Sequence, residues 1–332
     1  MYDVITIGSI TRDVFLRSKG ILTIRSERFK TGAGECIPLG SKMEIDELAF
    51  TVGGSAANTA VTFARRGARA ATVAKIGRDV RGEEMLRTLA KEGVVTRFIA
   101  KDPFRMSAYS VVILTSSGER AILTYRGAEK ELAIRDFPKS RLYARWFYLT
   151  HLSGKSAALF GTILRHAKAV GARVAVNPGK TQLRMPRHRL QPLLKLIDVL
   201  MLNREEASYL TKVPYGREDA IFQKLDSWVP GIVVVTDGPG GVTVSDGRTR
   251  WSAGILKEKR HVDRTGAGDA FGSGFVAGLL ERPENVPYAI QLGSANATSV
   301  VEHIGAQEGI LRKRDSILRW GRLRIRQKRV SA

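Results

Sequence analysis

The sequence predicts an α/β protein: a doubly wound, mostly parallel sheet with helices on both faces and a small β lid. Three observations carry this expectation. Short apolar runs of strand character alternate with amphipathic helical segments through most of the chain, the pattern of strand–helix units feeding one parallel sheet. Two β-rich stretches, within 13–51 and 105–126, break that alternation and belong to a separate small sheet. A polar, glycine-rich turn at 263–269 runs directly into an apolar helix, which puts bare backbone N–H groups at a helix start.

The elements follow in order. Residues 2–8 alternate into an apolar strand ending at Gly8-Ser9, and Asp13 comes shortly after. Residues 17–50 are polar and irregular, with Gly20, Gly32, Gly34, Pro38 and Gly40, and read as loop with short strands, one over 47–52. Gly53-Gly54-Ser55 opens a helix over 56–66 that Gly67 ends, and 70–76 is a strand. Residues 79–92 form an amphipathic helix closed by Gly93, a residue suited to the left-handed position after a helix. Residues 107–115 and 120–125, joined by 116–119, read as a hairpin. Strands at 146–149, 174–176, 199–202 and 232–236 then alternate with helices at 156–170, 203–211 and 217–228. Residues 242–245 and 249–253 read as antiparallel strands, and a last helix spans 287–303.

In the helix after the glycine-rich turn, Phe271, Phe275 and Leu279 recur every four residues and mark one buried face. Gly272, Gly274 and Gly278 lie inside it, each costing roughly 0.5–1 kcal/mol relative to Ala, so close packing of backbone is expected there. At its start, the N–H groups of Gly266, Ala267 and Gly268 suit an anion, and the helix dipole adds to this. Asp269 beside such a hole suits a proton acceptor, and equally an ordinary acidic first turn. Two other glycine motifs fail. A Walker A loop needs a Gly where Leu149 and Val174 stand before Gly154-Lys155-Ser156 and Gly179-Lys180-Thr181, and the third Gly of a dinucleotide fingerprint falls on Phe271.

The chain has 332 residues, 43% hydrophobic and 26% charged, enough for one large core. Its single cysteine, Cys36, allows no internal disulfide and fits a reducing cytoplasm. The first residues lack a basic, apolar leader pattern, and no apolar stretch approaches the roughly 20 residues that span a bilayer, so no membrane role is expected. The formal charge of +22 attracts polyanions such as ATP or RNA without choosing among them. Residues 312–332 hold nine Lys/Arg against the single acid Asp315, a composition of solvated arms that touch nucleic acid.

Polar or glycine-rich strand ends gather at Gly8–Asp13, Asn177–Gly179, Asn203–Glu206, Thr236–Gly238 and Asp263–Asp269, where doubly wound sheets bind ligands. Singly, each has an ordinary reading; Asn203 and Glu206, for example, are spaced as a capping box. Together they resemble the ribokinase/PfkB-like carbohydrate kinase family. The run Asp263–Leu280 resembles the signature ending in Gly-Ala-Gly-Asp. Gly53-Gly54-Ser-Ala-Ala-Asn58, then Ile76-Gly77-Arg-Asp79 and Gly82, resemble the second signature. Asn203-x-x-Glu206 and Thr236-Asp-Gly-x-Gly-Gly241 match two further family motifs. The similarity covers about 1–310 as a ribokinase-like kinase domain and leaves 311–332 as a basic C-terminal tail.

The resemblance implies an ATP-dependent kinase for a hydroxyl of a small sugar. Asp269 would be the base, with the anion hole at Gly266, Ala267 and Gly268. Asp13, Gly53, Gly54 and Asn58 would bind acceptor hydroxyls. Glu206, with Asn203, would order Mg²⁺ and its waters; Thr236, Gly238, Gly241 and Asn296 would lie along ATP. A monovalent cation near Asp263 and Thr265 is allowed, although Arg264 stands where the family often has a small residue. Ser55 replaces the Lys of ribokinases proper, and Thr181 takes the place of an Arg found in several hexose and sugar-acid kinases. A nucleoside acceptor is the nearest alternative, with Phe15 or Tyr109 as the aromatic that would clamp a base; a non-catalytic RNA-binding protein on the same fold is the other. The lid is expected to pair two chains into a homodimer.

Overall fold

A computed structural model describes residues 1–29, 32–114 and 120–330. The chain starts in β1 (Tyr2–Ile7), then leaves for β2 (Thr11–Arg17), the hairpin β3 (Leu22–Arg25) and β4 (Ala33–Cys36), and β5 (Glu47–Gly53). Helix α1 (Ser55–Arg65), β6 (Ala70–Gly77), α2 (Val80–Lys91) and β7 (Ile99–Asp102) follow, then β8 (Ala108–Leu114) and β9 (Arg120–Tyr125). Strand–helix alternation resumes with β10 (Ala144–Leu149), α3 (Phe160–Ala169), β11 (Arg173–Val176), α4 (Lys180–Leu183), α5 (Arg187–Leu194), β12 (Val199–Asn203), α6 (Arg204–Thr211), α7 (Glu218–Trp228) and β13 (Ile232–Thr236). The chain closes with β14 (Val242–Ser245), β15 (Thr249–Ala253), α8 (Ala267–Glu281), α9 (Val286–Val301) and β16 (Arg326–Arg329).

The central sheet has ten strands in the order β16-β15-β14-β13-β12-β11-β10-β1-β6-β7, parallel from β13 to β7 and antiparallel beyond β13. The chain fills one side of β1 with β6 and β7, then crosses to the other side with β10, so the strand order reverses between β1 and β10. Crevices at such reversals collect ligands. Alternate residues of one strand serve different layers. Ile5 and Ile7 of β1 pack with α3, α5, α6 and α7, whereas Val4 packs with α8 and α9 on the other face.

Helices α8 and α9 are in close backbone contact, and the glycines inside α8 are the cause. A Cβ on Gly278 would lie 2.6 Å from Ala289 Cα, and one on Gly274 would lie 3.0 Å from Gly293 Cα. Close approach explains these residues better than flexibility does.

The second sheet, in the order β5-β2-β8-β9, is the lid expected from 13–51 and 105–126. Asp13 lies in its second strand rather than in a loop. The loop expected over 17–50 also carries the β3–β4 hairpin. The connection at 116–119, read as a hairpin turn, lies outside the described residues, as does residue 115 before it.

The basic tail corrects its expectation. Leu323 is buried with Leu311 in the α8–α9 core, and Ile317, Trp320 and Ile325 pack against it. Gln291 Nε2 donates to Ile317 O and Gly321 O, and Gln291 Oε1 accepts from Leu323 N. The strand β16 then extends the central sheet. Counting charges over 312–332 hid the spaced apolar residues Ile317, Trp320, Leu323 and Ile325, which anchor the segment.

Candidate active site

Gly266 precedes α8 in a left-handed conformation, φ 80°, which Gly adopts without steric cost. This turns the chain so that the first helical N–H groups face the crevice. Ala267 N closes a turn onto Arg264 O at 3.2 Å, and Ala270 N bonds to Gly266 O. The N–H groups of Gly266 and Gly268 have no backbone partner among the described residues. Of the three residues expected to form an anion hole, Gly266 and Gly268 therefore keep N–H groups without a backbone partner, whereas Ala267 N–H is used in the turn.

Asp269 follows directly and is half-buried. Asn58 Nδ2 donates to its Oδ2 at 2.9 Å. Burial pushes the Asp269 carboxyl above the ordinary aspartate range, against hydrogen bonds from Asn58 and Ser55 that pull it down. The helix dipole favours the ionised form and acts in the opposite direction; removal of water outweighs it. A raised value brings a carboxylate nearer the working pH and makes it a better proton acceptor.

Asn58, expected to bind acceptor hydroxyls, is held from both ends, because its Oδ1 accepts from Gln307 Nε2 at 3.2 Å. This fixes which side of the amide meets Asp269. Gln307 was missed: it lies in a turn after α9, and nothing in the local pattern linked it to a residue 249 positions away.

Asp13 is 5% exposed, takes hydrogen bonds from Thr11 and Ser110, and leaves Oδ1 without a partner. Burial raises its carboxyl above the ordinary range, and the nearby charge of Asp263 adds to this. Gly53 pairs with Thr11 beside it, and any Cβ on Gly53 would fall on Asp13 Oδ2. Gly54 begins α1 at φ 92°, and a Cβ there would meet Ser9 O at 2.6 Å.

A cleft of about 270 Å³ opens on the other side of the α8 start, lined by Thr236, Gly238, Gly241, Ala267 and Gly268, with Leu256, His261 and Thr298 among its further walls. Asn296 does not line it. That side chain is 1% exposed, donates to Ala270 O at 2.8 Å, and accepts from Leu311 N at 2.9 Å. It ties α9 to α8 and to the tail, and its α9 neighbours Ser294, Ala297 and Thr298 face the cleft instead.

Asn203 and Glu206 form a reciprocal capping box at α6: Glu206 N donates to Asn203 Oδ1 at 2.8 Å, and Asn203 N donates to Glu206 Oε2 at 3.0 Å. The ordinary reading of the pair is therefore realised, with Oε1 of Glu206 left over. Among the described residues no cluster of three His, Cys, Asp or Glu is arranged to hold a metal. One free carboxylate oxygen fits Mg²⁺, which keeps most of its waters and takes phosphate oxygens as ligands.

Neither aromatic considered for a base is placed to clamp one. Phe15 is 2% exposed in the lid interior with Val112 and Leu114. Tyr109 neighbours Ser110, so it points to the opposite face from Asp13, where Arg81 covers its ring at 5.3 Å.

No described helix is long and apolar enough to cross a membrane. Comparison with known proteins bears on the family and the fold. The chain is 32% identical over 275 residues to a ribokinase of Haemophilus influenzae, covering 80% of this chain and 86% of that one. It is 31% identical over 242 residues to a fructokinase of Escherichia coli, covering 68% and 76%. The fold superposes on the ribokinase of Arabidopsis thaliana, solved with ribose and ATP, with a TM-score of 0.76 at 21% identity, covering 96% of this chain and 98% of that one. The family described as pfkB family carbohydrate kinase matches residues 1–314. This chain belongs to the pfkB family of carbohydrate kinases, phosphotransferases with an alcohol group as acceptor.

Proposed function

We propose that the chain transfers the γ-phosphoryl group of ATP to a hydroxyl of a small sugar, with Asp269 as base and Gly266 and Gly268 as the anion hole. The observation that carries this reading is the Asp269 carboxyl held by Asn58 beside two free helix-start N–H groups. ATP lies in the cleft between Thr236–Gly241 and the α8 start. The acceptor lies under the lid, with a hydroxyl donating to the free oxygen of Asp13. Asp269 takes the proton of the attacking hydroxyl, and the two N–H groups meet the charge on the phosphoryl in transfer. Catalysis of this kind needs positioning and charge stabilisation rather than covalent chemistry. Magnesium bound with the nucleotide supplies charge neutralisation at the phosphates, and Glu206 and Asn203 would hold it through water. A monovalent cation near Asp263 would brace a loop that Asp263 already pins through Thr265 N and Oγ1 at 2.9 and 2.7 Å; a potassium titration of turnover reads this.

Two surfaces belong to the same proposal. The outer face of the lid exposes Leu48, Phe50, Leu123 and Tyr125 at 45–63%, an apolar patch suited to a second copy of the chain. The exposed basic strand β16 suits salt-sensitive, sequence-independent contact with nucleic acid. A cytoplasmic setting accords with the lone cysteine. The test is ADP release across a panel of neutral sugars, sugar acids, sugar phosphates and nucleosides. Turnover confined to nucleosides would replace the sugar with the nucleoside reading, and no turnover with any member would overturn the kinase assignment.

A further inference from the structure

Six buried side-chain polar atoms lack a hydrogen-bond partner among the described residues, and three of them belong to Asp13, Thr51 and Glu129. Thr51 sits opposite Asp13 in the β5–β2 register, and Ser110 flanks Asp13 on the other side, so these residues share one lid face. Glu129 comes from the turn that follows β9, at Gly127–Glu131. It is 7% exposed and fixed at both ends. Its main-chain oxygen accepts from Ser156 Oγ at 2.6 Å, and its Oε1 accepts from Arg126 Nη1 at 2.9 Å. Its Oε2 is buried and has no hydrogen-bond partner among the described residues. A buried carboxylate oxygen without a donor is costly, and native proteins keep few of them. The turn packs against β8, the strand whose Ser110 flanks Asp13, and the charge of Asp13 acts on the Glu129 carboxyl.

Resting on the kinase reading above, we propose that Glu129 is an acceptor-binding residue that makes the site select uncharged polyols over anionic ones. Its free oxygen takes a second acceptor hydroxyl beside the one held by Asp13. Its other oxygen neutralises Arg126, which would otherwise offer a guanidinium to a carboxylate or phosphate on the acceptor. Asp13, Glu129 and Asp269 together repel an anion from the pocket. Burial holds the Glu129 carboxyl above its ordinary range, a state that hydroxyl donors from a bound sugar would relieve. Burial, with Arg126 nearby, also holds His151 down at about 4, so this neighbour adds no positive charge near neutral pH.

The test is steady-state turnover of Glu129→Gln against the neutral sugar that the wild type uses best and the sugar acid of the same carbon skeleton, with melting curves of both proteins. A hydrogen bond to a charged group is worth roughly 10- to 100-fold in affinity, and the acceptor KM should rise by about that factor. The ATP KM should stay at the wild-type value, and the preference for the neutral sugar over its acid should shrink at least about tenfold, since Arg126 is then unpaired. An acceptor KM near the wild-type value in a folded variant overturns the proposal. Should Glu129→Gln not fold, the wild type still decides: the neutral sugar must raise its melting temperature and the sugar acid must not, and equal stabilisation by both overturns the assignment. A wild type that phosphorylates nothing in the panel sinks the kinase reading, and this inference with it; a wild type that phosphorylates a neutral sugar with a silent Glu129→Gln sinks this inference alone.

Discussion

Leu323→Ala tests whether the basic C-terminal segment is part of the folded core. Leu323 is 9% exposed and packs in the cluster that includes Leu311, Phe275 and Ile290, beneath the turn that Gln291 holds. Truncating a buried Leu to Ala costs about 2–5 kcal/mol, and the position of this one at the edge of the core argues for the lower end, about 2–3 kcal/mol. For a chain of this size that corresponds to roughly 3–4 °C in melting temperature. The charge reversal Lys328→Glu, on the exposed strand β16, should stay within about 0.5 kcal/mol of wild type and serves as the control. Thermal and urea unfolding of both variants reads the difference. If Leu323→Ala melts with the wild type, the segment is a solvated arm and its packing against α9 contributes nothing.

The capping box at α6 tolerates Gln at its third position, so Glu206→Gln should leave stability within about 0.5 kcal/mol while raising the Mg²⁺ concentration needed for half-maximal turnover; a changed melting temperature with an unchanged Mg²⁺ titration would leave Glu206 as a cap only. The exposed lid face predicts a dimer by light scattering at micromolar concentration that Phe50→Asp splits, and a fully active wild-type monomer would remove that surface from the proposal. Hydrogen bonds from Arg65 hold the Glu92 carboxyl below its ordinary value of 4.5, so the pair's stabilisation is complete above that pH and is lost as pH falls through the lower folded-state value. Melting curves between neutral pH and pH about 3 should therefore flatten in Glu92→Gln relative to wild type, and parallel curves would show that the pair has no such linkage.

The sequence made the central fold legible because its strands and helices carry separate periods, and because Gly, Asp79 and Asn203 mark helix ends where the structure has them. The motif residues Gly266 and Asp269 lie at the start of α8, where the sequence pattern puts them, whereas Asp13 lies inside β2 of the lid. Contacts between residues far apart in the chain were not legible. Gln307 reaches Asn58, Ser156 holds the Glu129 backbone, and Asn296 turns inward to hold Ala270 and Leu311 rather than facing the cleft. None of these pairings leaves a local signal, since each depends on how α1, α9 and the lid are brought together. In the tail a run of Lys and Arg masked four apolar anchors. The direction of the Asp269 shift was likewise a tertiary property, set by how much water the surrounding elements exclude.

The proposed phosphoryl transfer depends most directly on Asp269. Replacing it with Asn keeps its size and removes its basicity, so turnover with the best acceptor should fall about 10²–10⁴-fold. ATP affinity by calorimetry should be unchanged or slightly tighter, because a negative charge beside the phosphates is gone. In the wild type, turnover should decline on the acid side with an apparent pKa above that of an ordinary aspartate, since burial raises the group and only its ionised form accepts a proton. A variant that folds, binds ATP and turns over close to the wild-type rate would make Asp269 an acidic helix-start residue and contradict the mechanism.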